Sequence, residues 1–204
     1  MDIKLTITKK QQKFINADCD EVLYGGAAGG GKSYGQIVDA FLCSMKYPGI
    51  KQLILRTSFP ELERSLIMTA LQIIPRGLYN YNSTKHKMVF KNGSIIEFGY
   101  LSSDSAVSMY QSAEYDIIRF DELTHFSEYQ YTYMQSRIRG VNKFPKQTKS
   151  STNPGSQGHG WVKERFIDKA PPETIYEEKG RRRVFIPAKV QDNNFIMEND
   201  PEYI

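Results

Sequence analysis

Residues 25–33 read Gly25-Gly26-Ala27-Ala28-Gly29-Gly30-Gly31-Lys32-Ser33, and from Gly26 onward they satisfy G-x-x-x-x-G-K-[ST] at every fixed position. The pattern has a mechanism. Glycines without a Cβ let backbone N–H groups turn inward around a polyphosphate. Lys32 then reaches the β- and γ-phosphates, and the Ser33 hydroxyl is a candidate Mg²⁺ ligand. The flanks supply the context the pattern requires. Glu21-Val22-Leu23-Tyr24 is short and apolar enough for a buried strand, and from Lys32 to Met45 the apolar Ile37, Val38, Phe41, Leu42 and Met45 fall at helical spacing. A strand, a glycine loop and a helix in that order point the positive end of the helix at an anion. The plain alternative, a glycine-rich turn that happens to precede a lysine, does not account for the strand and helix on either side.

The other segments extend this to an α/β fold. Thr8 is placed to cap a short helix over 8–16 that carries Gln11 and Gln12. Gln52 to Arg56 reads as a second strand. Ser58 and Pro60 open a helix whose apolar residues recur from Leu62 to Ile74, and Pro75 and Gly77 end it. Asn92-Gly93 between two apolar runs predicts a hairpin. Tyr115 to Phe120 reads as another buried strand, Ser127 to about Arg139 as a helix, and 147–152 as a further strand despite its polar sequence. Strands alternating with helices predict a mostly parallel sheet covered on both faces, with the ligand at the carboxyl ends of its strands.

Composition sets bounds. The chain has 204 residues, a net charge of +4 and two cysteines, Cys19 and Cys43. The length suits one α/β domain with a small appendage. Two cysteines make no disulfide framework, and free thiols in a reducing compartment are the simplest reading. The mild basicity permits nucleic-acid contact without demanding it.

Tyr115-Asp116-Ile117-Ile118-Arg119-Phe120 runs into Asp121-Glu122. Two adjacent acids at a strand end have separate uses in ATP hydrolysis. Asp121 is the candidate Mg²⁺ ligand, through the ion's water shell, and Glu122 the candidate base that orients and deprotonates water. Arg119 interrupts the apolar run, and a position opening to solvent is expected for it.

At this point the chain resembles the ATPase domain of tailed-phage large terminases, over most of its length. The resemblance runs through Gln11-Gln12, the glycine loop, Leu55-Arg56-Thr57, Phe120 to Thr124, and Ser136 to Arg139. Its narrowest parts are Ser151-Thr152-Asn153-Pro154-Gly155, the following Gly158-His159-Gly160-Trp161, and the tail Asp192-Asn193 with Asp200-Pro201-Glu202-Tyr203-Ile204. It implies a P-loop NTPase of ASCE type, with an ATPase core over 1–157 and a lid or linker subdomain over 158–204. It implies ATP and Mg²⁺ as cofactors, Gln11 or Gln12 on the adenine, and Thr152 and Asn153 as a coupling motif sensing the γ-phosphate. An amide suits that task because it both donates and accepts. The partners it implies are double-stranded DNA, a portal protein, a small terminase subunit and a homo-oligomeric ring, in the host cytoplasm.

Two departures carry expectations. Many family members place an arginine inside the glycine loop, where this chain has Ala27 and Ala28. Arg137 or Arg139, flanking Ile138 at an expected helix end, is therefore the candidate catalytic arginine, supplied in trans by a neighbour. The family also continues into a nuclease domain with clustered metal-binding acids. That domain is expected to lie outside this chain, and no DNA cutting is expected of it.

Lys85-His86-Lys87, Lys143-Lys146-Lys149 and Arg181-Arg182-Arg183 are basic clusters that could touch phosphates, though a charge run is more often a solvated face. Two rival functions stand beside the packaging motor. One is another nucleic-acid-translocating ATPase of helicase or repair type. The other is a nucleotide-binding switch with little hydrolysis, against which the Asp121-Glu122 pair argues.

Overall fold

The computed structural model describes residues 5–26 and 29–192. Nine strands form one sheet in the order β3-β4-β5-β2-β6-β7-β1-β9-β8. They are β1 Glu21–Gly26, β2 Lys51–Arg56, β3 Tyr79–Asn82, β4 Lys87–Phe90, β5 Ile95–Tyr100, β6 Ile117–Phe120, β7 Gln147–Thr152, β8 Tyr176–Glu178 and β9 Arg181–Ala188. From β5 to β9 the neighbours run parallel, while β3, β4 and β8 close the edges in antiparallel hairpins. The Asn92-Gly93 hairpin forms as its sequence requires, with Gly93 at φ 84°.

Helices cover both faces. Against one face pack α2 (Lys32–Lys46) and the succession of α3 (Phe59–Leu62), a π turn (Glu63–Ile67) and α4 (Met68–Ile73), burying Ile37, Phe41, Leu66 and Ile67 against Ile54 and Phe98. Against the other pack α5 (Glu128–Gln135), α6 (His159–Val162) and the π turn that follows it (Lys163–Ile167), which bury Tyr131, Val162 and Phe166 on Leu23 and Phe120. The short α1 (Lys9–Asn16) lies on β1 and β9 through Phe14. Two helices start with the same device. Thr8 accepts from the Gln11 N–H while its own N–H donates to the Gln11 side chain, and Ser127 and Gln130 repeat the exchange.

The polar strand β7 is buried along its whole length. It tolerates burial because partners meet it. Gln147 donates to the Ala17 and Cys19 carbonyls, and Lys149 donates to the Phe14 and Ile15 carbonyls and to Asp39.

Two expectations are corrected. Arg119 does not open to solvent; it is fully buried, bonded to Asp39 of α2 and to the Gln52 side chain. Asp39 draws both Arg119 and Lys149 inward, because a buried cation persists only where a carboxylate meets it. The helix after Ser127 stops at Gln135, so Arg137 and Arg139 lie beyond it. Within the 158–204 stretch, β9 pairs with β1 from Glu21↔Arg183 to Gly26↔Ala188 and so belongs to the central sheet. The edge strand β3, with its Tyr-Asn-Tyr-Asn sequence, carries no apolar run that announces it. Ala27, Ala28 and the tail motif from Asn193 onward lie outside the described residues.

Candidate active site

The carboxyl ends of β1, β6 and β7 converge. Gly26 ends β1 at φ 145°, and a Cβ there would sit 2.5 Å from the Ala188 carbonyl oxygen, so the chain can leave the sheet here only as glycine. Gly31, at φ 65°, caps α2 in the left-handed region and turns the loop into the helix. Two side chains brace the loop from below: Gln11 Nε2 donates to the Gly31 carbonyl at 2.8 Å, and the Tyr24 hydroxyl donates to the Gly30 carbonyl at 3.2 Å. Burial pushes the Tyr24 hydroxyl up to about 12, so it stays a donor.

Lys32 is the first residue of α2 and is buried. Burial lowers its pKa, with Glu122 and Asp121 pulling the other way. Ser33 Oγ donates to the Asp121 carboxylate, at 3.1 Å to Oδ1 and 3.3 Å to Oδ2. Ser151 Oγ, from the neighbouring β7, donates to Asp121 Oδ1 at 2.5 Å. Hard oxygen ligands from one carboxylate and one hydroxyl at this spacing fit Mg²⁺ held partly through its own waters.

Glu122 stands at φ 59°, ψ 60°, a left-handed conformation that costs a residue with a Cβ some strain. Asn153 holds the Glu122 carboxylate. Its Nδ2 donates to Glu122 Oε1 at 2.7 Å and its backbone N–H to Oε2 at 3.2 Å. Asn153 Oδ1 is buried and has no hydrogen-bond partner among the described residues. The segment behind is tied down as well, with Thr124 and Thr152 hydroxyls both donating to the Asn153 carbonyl at 3.0 Å. A cavity of about 250 Å³ opens between the loop residues Gly29 to Ser33 and the Glu122–Asn153 pair. A larger one, about 630 Å³, lies beside Lys51, Glu97 and Tyr115, away from these converging groups. The chemistry, not the volume, selects the smaller.

The structure thus brings together Gly29, Gly30, Gly31, Lys32, Ser33, Asp121, Glu122, Thr152 and Asn153, with Gln11 bracing the loop from behind. Gln12 is exposed and lines a separate cavity with Ala17 and Val184. Arg137 and Arg139 are not part of the cluster. They sit beside Tyr115 at the amino end of β6, where Arg137 bonds to the Gln111 carbonyl and Arg139 pairs with Glu114 at 3.1 Å. Two members of the basic clusters are inward: Lys149 is held by Asp39, and Arg183 by Glu21 and Glu178. Sequence reasoning missed Ser151 as an Asp121 partner, and it missed Arg56, whose Nε lies 3.4 Å from Asp121 Oδ2. The signal available for both was their place at strand ends that parallel pairing carries to the loop.

The comparisons with known proteins bear on the family and the fold. The family model described as phage terminase large subunit matches residues 19–203. No curated protein matches the chain. Among solved structures, the fold is similar to the large terminase of a thermophilic bacteriophage, at 18% identity and TM-score 0.70, covering 93% of this chain. The chain spans about half, 47%, of that protein's length. The same phage protein is also solved with ADP and with ATP-γ-S. The Thermus phage P74-26 large terminase ATPase domain aligns at 13% identity and TM-score 0.61, covering 98% of this chain and 89% of that one. The N-terminal domain of the bacteriophage phi29 DNA packaging ATPase aligns at 15% identity and TM-score 0.58, covering 85% of this chain and 93% of that one.

Proposed function

The chain belongs to the phage terminase large subunit family, and from that premise we propose that it hydrolyses ATP to drive double-stranded DNA into a prohead. The observation that carries the hydrolytic step is the Glu122 carboxylate, gripped at both oxygens by Asn153 beside Lys32 and the glycine loop. In this reading the loop N–H groups and Lys32 hold the triphosphate. Ser33 and Asp121 would hold Mg²⁺, which neutralises charge on the phosphates when bound. Glu122 takes the proton from the attacking water, and Asn153 fixes where the base points. The Asn153 Oδ1 acceptor offers that water a second hydrogen bond. Of the two glutamines, this reading assigns the adenine to Gln11, whose side chain adjoins the loop at the Gly31 carbonyl.

Asn153 is also the means by which chemistry reaches the rest of the chain. It joins β7 to the segment leading into α6, where the Gly158 N–H donates to the Thr124 carbonyl at 2.8 Å. A change at Glu122 is therefore felt at both Thr124 and Gly158. Arg137 and Arg139 lie at the opposite end of the sheet, so in this reading either of them would act in a neighbour's site. On the family premise, DNA, a portal protein, a small terminase subunit and further copies in a ring are the partners.

The test is turnover. ATPase activity with Mg²⁺ is expected of the wild type, and Glu122→Gln is expected to lower it by about 10²–10⁴-fold while ATP still binds. Equal, near-zero rates for both at high protein concentration would instead favour a nucleotide switch. Mixing Glu122→Gln with Arg137→Ala or Arg139→Ala tests the trans arginine; no recovery of activity on mixing would count against it.

A further inference from the structure

We propose that Arg56 is the site's own arginine for the terminal phosphate, and that its guanidinium donates to γ-phosphate oxygens of a bound nucleoside triphosphate. The inference rests on the reading of the site as a triphosphate site and names a binding residue within it.

Position comes first. β2 pairs with β6 in parallel, with Leu55 beside Phe120, and the Asp121 N–H donates to the Leu55 carbonyl at 3.0 Å. Arg56 and Asp121 therefore leave adjacent strands side by side, at the end of the sheet where the glycine loop opens. Arg56 Nε lies 3.4 Å from Asp121 Oδ2, and Ser33 Oγ lies 3.3 Å from the same oxygen. The guanidinium and the loop hydroxyl thus flank one carboxylate oxygen.

Hydrogen bonding comes second. Arg56 Nε and Nη1 are both buried, and neither has a hydrogen-bond partner among the described residues. Asp121 does not need them, since Ser33 and Ser151 already donate to it. A buried guanidinium with donors to spare is costly unless something accepts from it. A planar fork of N–H groups matches phosphate oxygens better than it matches any neutral group.

Charge comes third. Asp121 and Glu122 put two carboxylates beside Lys32, and a triphosphate adds several more negative charges. The two candidate catalytic arginines, Arg137 and Arg139, lie at the far end of the sheet, and the buried Arg119 is engaged with Asp39 and Gln52. Arg56 is the arginine that the fold itself delivers to Asp121, and its seat against that carboxylate keeps it oriented before the ligand arrives.

The experiment is calorimetric titration of ATP-γ-S and of ADP, each with Mg²⁺, into the full chain as wild type, Arg56→Met and Arg56→Lys. Thermal melting without nucleotide checks the fold of each. Arg56→Met is expected to weaken ATP-γ-S by about ten- to hundredfold while changing ADP less than about threefold, with Arg56→Lys recovering part of the loss. Equal weakening of both nucleotides would make Arg56 a structural partner of Asp121 and overturn the proposal, as would no weakening of either. Should Arg56→Met not fold, the same ATP-γ-S to ADP contrast in Arg56→Lys decides. Wild type that binds neither nucleotide would overturn the triphosphate reading itself, a result separate from the variants' pattern.

Discussion

The two ends of the sheet treat buried charge in opposite ways. At the amino end of β1, Glu21 is fully buried and accepts four hydrogen bonds: from Arg165 Nε at 2.8 Å and Nη2 at 3.0 Å, from Arg183 Nε at 3.0 Å and from the Tyr131 hydroxyl at 3.0 Å. Burial pushes its pKa up, but the two guanidiniums outweigh that and hold the carboxyl below its ordinary 4.5. At the carboxyl ends, by contrast, Arg56 Nε and Nη1 and Asn153 Oδ1 are buried without hydrogen-bond partners among the described residues. Saturation at one end and surplus at the other divide the labour. The first end fastens α5 and the π turn after α6 to β1 and β9; the second leaves donors and acceptors unengaged, as the proposed ligand site requires.

The largest effect should come from unbalancing the saturated end. Glu21→Gln leaves Arg165 and Arg183 facing each other over a neutral amide, and breaking such a buried set costs about 3–5 kcal/mol. Urea denaturation should show a lower midpoint with the same slope. The carboxyl-end counterpart, Asp121→Asn, should abolish Mg²⁺-dependent turnover yet leave stability within about 1 kcal/mol of wild type, since Ser33 and Ser151 can still donate to the amide oxygen. Comparable destabilisation in the two variants would erase the distinction.

Acid gives a second contrast. The Glu21 pKa is depressed on folding, so its stabilisation is complete above its ordinary 4.5 and is lost as pH falls from there through the folded value. Wild-type stability should therefore drop below about pH 4.5 more steeply than that of Glu21→Gln, by denaturation midpoints taken from about pH 7 to about pH 3. Parallel acid limbs in the two proteins would show that this carboxylate is not where the acid sensitivity resides.

What the sequence disclosed follows the same division between local and distant partners. The glycine loop, the two helix caps and the Asn92-Gly93 turn are decided within a few residues, so each was legible along the chain. The two acids of the candidate site were legible too, because a strand followed by Asp121-Glu122 is a local pattern. Arg119 was not, because its partner Asp39 lies 80 residues away. The same holds for β9, whose opening Arg181-Arg182-Arg183 looks like a surface cluster until Glu21, 162 residues earlier, draws Arg183 inward. Arg56 stood in plain view as part of Leu55-Arg56-Thr57, but its meaning depends on which strand lies beside β2, and that is a property of the sheet order.

The smallest effects separate the two capping boxes. Thr8→Ala and Ser127→Ala each remove a side-chain acceptor at a helix start, and each should cost about 1 kcal/mol. The consequences for ligand binding should differ. Gln11, the third residue of the first box, bonds back to the Thr8 N–H and reaches on to the Gly31 carbonyl at the glycine loop. Gln130, its equivalent in the second, reaches the Leu101 carbonyl at 3.5 Å. Loosening the first box therefore frees the brace beneath the loop, whereas loosening the second disturbs only the packing of α5. Calorimetry with ADP and Mg²⁺ should find Thr8→Ala weaker by a few-fold and Ser127→Ala unchanged, at matched losses of stability. Equal affinities in the two would mean that the Gln11–Gly31 contact does not help hold the loop in its nucleotide-binding shape.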